Sequence, residues 1–96
     1  MRARRVAVVD AYVEDGRAAV YSTRGMVVLL SELATTAWTV LGDDWVSATE
    51  VAAALVREFG DPGEGAAGKL TEDALRSLAE MSLVEIDEGS DEPVTA

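Results

Sequence analysis

The chain contains no cysteine and no histidine among its 96 residues. Those two absences exclude disulfides, thiol chemistry, imidazole acid–base catalysis and zinc sites built from nitrogen or sulfur ligands. Positive charge is also scarce: eight bases stand against eighteen acids, a net charge of −10. No apolar run approaches the ~18 residues of a membrane span. Met1-Arg2-Ala3-Arg4-Arg5 before Val6-Ala7-Val8-Val9 has the outline of a signal peptide, but Asp10 ends the apolar run after four residues. The expectation is a cytoplasmic protein with no membrane partner, and the missing cysteines are compatible with a reducing compartment.

What is present is apolar and unevenly charged. Hydrophobic residues make up 49% of the chain, enough for one small core. Residues 1–30 carry a net charge of +2, whereas residues 31–96 carry −12. The second part therefore projects a field that repels phosphate and favours basic or neutral partners. Residues 1–86 read as a single domain. From Asp87 to Ala96 the sequence is DEGSDEPVTA, an acidic tail expected to be disordered.

Three strands and then three helices are expected. Val6 to Val13 alternates loosely, and Glu14-Asp15-Gly16 is a turn signal. Ala18–Ser22 and Met26–Leu30 flank Ser22-Thr23-Arg24-Gly25, where Gly25 supplies the positive φ of a tight reversal. Ser31 is an N-cap for a helix running to about Leu41, with Leu33, Ala37, Trp38 and Leu41 on one face. Ser47-Ala48-Thr49-Glu50 is a capping box, opening a helix that presents Val51, Leu55 and Phe59 and stops at Gly60 and Pro62. Asp61–Gly68 reads as a glycine-rich loop. Thr71 is expected to cap a third helix with Glu72 and Asp73 in its first turn, and Ala74, Leu75, Leu78 and Met81 form its apolar stripe. Trp38 belongs to the core, and Trp45 is expected to pack under the second helix. The fold class is α+β and winged-helix-like: a three-stranded antiparallel sheet followed by three helices.

Motifs for chemistry are missing. Asp43-Asp44 is a carboxylate pair without further ligands nearby, and Ser47, Thr49 and Glu50 are spent on capping. Ser22, Ser31, Ser47 and Ser77 have neither a base at motif spacing nor a glycine elbow. The glycines at 60, 63, 65 and 68 are not closed by Lys-Ser/Thr, so no phosphate loop forms. No catalysis, cofactor or metal is expected. A helix–turn–helix in the last two helices would put Glu72, Asp73 and Glu80 against DNA with only Arg76 to offset them, which forfeits the phosphate attraction such binding needs.

One feature remains. Met26, Val27, Val28, Leu29 and Leu30 form an uncharged strand without the Lys or Pro that normally blunts an edge. If that strand is an edge, an extended peptide can add to it through backbone hydrogen bonds. If it is central, it cannot. The residues leave both open.

The stretch Tyr21 to Ser31, followed by Ala34, Ala37-Trp38 and Leu41, then Gly42, Ser47 to Phe59-Gly60 and Leu78 to Val84, resembles the PqqD-like family. These are the recognition elements for precursor peptides in ribosomal natural-product pathways. The resemblance covers roughly residues 17–86. Ser31 stands where Asn is common in the family, and Ser82 where Gly is common. What the resemblance implies is a non-catalytic domain that binds the leader of a precursor peptide beside the third strand, in the groove between that strand and the third helix. The small, acidic, free-standing form is most similar to the recognition proteins of lasso-peptide clusters, which deliver the leader to a leader peptidase and a cyclase; other modifying enzymes are served elsewhere in the family. On this reading the peptide-binding residues are Met26, Val27, Val28, Leu29, Leu30, Asp73, Ala74, Leu75, Ser77, Leu78 and Met81. Asp73 is the first choice for meeting a basic leader residue. Two other classes stay on the table: a winged-helix DNA-binding regulator, and a structural subunit that dimerises through the same strand.

Overall fold

The computed structural model describes residues 1–88 and has the expected α+β class, with three helices and two three-stranded antiparallel sheets. In chain order the elements are β1 (Arg2–Arg5), β2 (Val8–Glu14), β3 (Arg17–Ser22), β4 (Val27–Leu29), α1 (Glu32–Val40), β5 (Val46–Ser47), α2 (Ala48–Phe59), α3 (Ala66–Glu80) and β6 (Val84–Asp87). One sheet has the order β2-β3-β4 and the other β5-β1-β6.

The first sheet follows its turn chemistry. Glu14 pairs with Arg17 across a two-residue turn in which Asp15 (φ 55°) and Gly16 (φ 76°) are both left-handed, the geometry that matches strand twist in a hairpin. The second reversal closes with Gly25 at φ 81°, and the Ser22 hydroxyl accepts from the amides of Arg24 and Met26. Ala18 and Val20 point inward from β3 and are fully buried with Leu30. The sheet is anchored to α1 where the Ala18 amide donates to Thr35 Oγ1 at 2.9 Å.

The second sheet is additional to the expected three-stranded one. The basic segment at the start of the chain is its middle strand. Ala3 is completely buried, while Arg2 and Arg4 lie opposite Asp87 and Glu85 of β6 and form ion pairs with them at 3.1 Å. Trp45 does not slide under α2. It is half-buried against the guanidinium groups of Arg2 and Arg4, whose centres lie 4.8 and 4.5 Å from its ring. Asp87 ends β6 rather than opening a tail; residues 89–96 of the expected disordered segment lie outside the described residues.

The helix caps at α1 and α2 are as expected: Ser31 Oγ accepts from Ala34 N, and Ser47 Oγ from Glu50 N, each at 3.1 Å. Arg5 closes the other end of α1. Its guanidinium donates to the carbonyls of Trp38 and Thr39 and stacks 4.4 Å from the Trp38 ring. The third helix departs from expectation. It starts at Ala66, five residues before Thr71, with Gly65 as a left-handed N-cap. Thr71 is therefore buried inside the helix, and Glu72 and Asp73 lie beyond its first turn. Leu75, Leu78 and Leu83 join Val20, Leu30, Trp38, Leu41, Val51 and Leu55 in one core. Each such fully buried aliphatic side chain contributes about 1.5–3 kcal/mol.

Candidate functional site

Strand β4 pairs with β3 alone and is an edge of its sheet among the described residues. The direction of its backbone groups follows from the ladder. Leu30 N donates to Ala18 O and Ser22 N donates to Met26 O, each at 2.8 Å, and Val28 stands opposite Val20 between them. In an antiparallel ladder such positions alternate, so Met26, Val28 and Leu30 address β3. Val27 and Leu29 turn their amides and carbonyls to the open side. Two donors and two acceptors thus face an incoming strand.

The two edges of this sheet are not equivalent. β2 is interrupted by a register shift between Val8 and Asp10, and Asp10 Oδ1 takes the outward Ala11 amide at 2.8 Å. A bulge and an inserted carboxylate are devices that discourage strand addition. β4 has neither, and it carries no charge.

The turn that follows α3 is tied to the β3–β4 hairpin turn where Arg24 Nη1 donates to Ser82 Oγ at 2.9 Å. Ser82 sits at φ 62°, a left-handed turn position where glycine is at ease. The helix has one buried stripe of Thr71, Leu75 and Leu78 with two flanks. Gly68 and Glu72 share a hollow with Ala48, Thr49 and Ala52 of α2, and Arg76 pairs with Glu88 beyond β6. The opposite flank, Leu70, Ala74, Ser77 and Met81, is turned away from them by the helical period. Toward the start of α3 a cavity of about 160 Å³ opens between Leu33, Val56, Phe59, Leu70 and Thr71. Phe59 and Leu70 are half-exposed at this cavity, so Phe59 is less buried than its apolar spacing implied.

Ten of the eleven expected contact residues divide into three groups, and Asp73 stands apart. Val27 and Leu29 supply the open backbone, and Met26 and Val28 border it. Ala74, Ser77 and Met81 share one flank of α3. Leu30, Leu75 and Leu78 are at most 1% exposed and hold the core together, so they cannot touch a ligand directly. Asp73 does not stand at the helix start; it is exposed on the outer side of α3 and paired with Lys69 at 3.5 Å. Sequence reasoning missed Arg24, Leu33 and Leu70. Among the described residues no group of three acids, histidines or cysteines is placed to hold a metal ion, and no helix is long and apolar enough to cross a membrane.

Comparisons with family models, with curated proteins and with solved structures returned no match.

Proposed function

We propose that this chain is a peptide-recognition domain: it binds the leader segment of a ribosomally made precursor peptide by strand addition to β4 and presents it to modifying enzymes, without catalysing a reaction itself. The observation that carries this reading is the uncharged β4, paired on one side only, with the amides and carbonyls of Val27 and Leu29 left open among the described residues. Backbone hydrogen bonds supply affinity in such an arrangement, and side-chain hollows supply choice. The cavity beside Leu70 is large enough for one apolar side chain, since about 150 Å³ holds a benzene ring. The resemblance to PqqD-like proteins points the same way. It makes a lasso-peptide leader the first candidate, and a leader peptidase with a cyclase the first candidate partners. By holding the substrate near those enzymes, the domain raises its effective concentration.

The reading is tested by titrating synthetic leader peptides into the isotopically labelled chain. The expected result is slowed exchange of the Val27 and Leu29 amides with shifts at Ala74, Ser77 and Met81. A leader that binds while leaving both β4 amides unprotected refutes it. The acidic helical half, with Glu72, Asp73 and Glu80 on α3, argues against the DNA-binding alternative.

A further inference from the structure

The outer face of the β2-β3-β4 sheet is apolar and is left uncovered by the described residues. Residues directly opposite one another share a face, so the register places Leu29, Ala19 and Tyr12 in one row and Val27, Tyr21 and Asp10 in the next, with Arg17 and Glu14 closing the end. Leu29 is 74% exposed, Val27 67%, Tyr12 63% and Tyr21 46%. The solvated face of an antiparallel sheet is ordinarily polar. Here five of the eight outward positions are apolar or aromatic. Two hollows sit on either side of Tyr12, one toward Tyr21 and Val27 and the other toward Leu29 and Arg17. Contiguous apolar surface of this kind, with tyrosines at its centre, has the makeup of a protein-binding surface.

We infer that this face docks a second, different protein, one that offers a shallow apolar surface bordered by lysine or arginine. The charge at its border selects the occupant. Asp10, Glu14 and Asp15 lie along β2 and its turn and outnumber the single Arg17 at the same border, and no Lys or Arg forms an ion pair with any of the three acids among the described residues. A second copy would bring the same acids and a further net charge of −10, whereas a basic border meets them with opposite charge. The face shares Val27 and Leu29 with the proposed leader site, the face using their side chains and the leader their backbone groups; Tyr12 and Tyr21 lie on β2 and β3, outside that site, and so test the face alone.

The test places the photoreactive residue p-benzoylphenylalanine at Tyr12 or Tyr21, with Thr49 on α2 as control, in the full chain within the producing cell. Irradiation should link one and the same foreign protein at both sheet positions and none at Thr49. That protein, once purified, should bind the unmodified chain less tightly as ionic strength rises. Tyr12→Lys and Tyr21→Lys should each weaken it about tenfold or more, while a leader peptide binds both variants as it binds the parent. An adduct that proves to be another copy of this chain overturns the inference. So does equal labelling at Thr49, or an affinity untouched by both substitutions in folded protein.

Discussion

Replacing Leu29 with proline and replacing Val28 with proline should have opposite consequences, although the two residues are neighbours on a three-residue strand. The Leu29 amide faces the open side, so its loss breaks no bond among the described residues, and the side chain is 74% exposed. Proline is tolerated at such edge positions. Leu29→Pro should change stability by no more than about 1 kcal/mol, a shift in unfolding midpoint below roughly 8 °C for a domain of this size. It should weaken leader binding about fivefold or more, the equivalent of one net hydrogen bond. The Val28 amide addresses Val20, a residue with no exposure at all, and removing it strands a buried carbonyl. That costs about 1–3 kcal/mol, and strain in the ladder brings the total to about 3 kcal/mol, or roughly 12–24 °C. Thermal unfolding followed by circular dichroism reads the first effect, and calorimetric titration of the leader the second. A Val28→Pro variant that melts with the parent, beside a Leu29→Pro variant that unfolds, would refute the assignment of open and paired groups. Unchanged leader affinity in a folded Leu29→Pro variant would refute strand addition at β4.

Three further outcomes follow from the packing. Arg5→Ala removes two hydrogen bonds to the last carbonyls of α1 and the stack on Trp38, and should lower stability in urea by about 1–3 kcal/mol. Thr71→Val swaps a hydroxyl that is buried without a hydrogen-bond partner among the described residues for a methyl of similar shape, and should raise stability by about 1 kcal/mol; a loss instead would show that the hydroxyl is hydrogen-bonded. Deleting residues 1–5 takes the middle strand from the second sheet along with the buried Ala3. The midpoint should drop by at least roughly 15 °C, and amide exchange at β6 should become fast.

The parts of this fold legible in the sequence are those whose signals are local. The hairpins announce themselves through Asp15-Gly16 and Gly25, and α1 and α2 through Ser31 and Ser47. The start of α3 was hidden because Gly63, Gly65 and Gly68 read as loop, although Gly65 is a cap and Gly68 lies inside the helix at a cost of about 1 kcal/mol. Burial of Leu75 and Leu78 outweighs that cost. The second sheet was hidden for a different reason. Arg2-Ala3-Arg4 has no apolar alternation, and its meaning lies in Glu85-Ile86-Asp87, far along the chain. The matching of Arg-x-Arg with Glu-x-Asp was the one available sign. At the candidate site, the uncharged strand was visible, but its freedom on one side and the parity of its amides needed the ladder itself. The apolar spacing of α3 could not separate Leu75 and Leu78, which build the core, from Ala74 and Met81 on the flank.

The central place of β1 also sets an order of events. Arg2 meets Asp87 across a separation of 85 residues, whereas β2, β3 and β4 fold on one another through short turns. Closing so long a loop is slow compared with zipping a hairpin. During synthesis, β1 is made before the other described strands and must wait, its arginines hydrated, until β6 has left the ribosome. The β2-β3-β4 sheet is thus free to take shape while the other sheet is still missing its last strand.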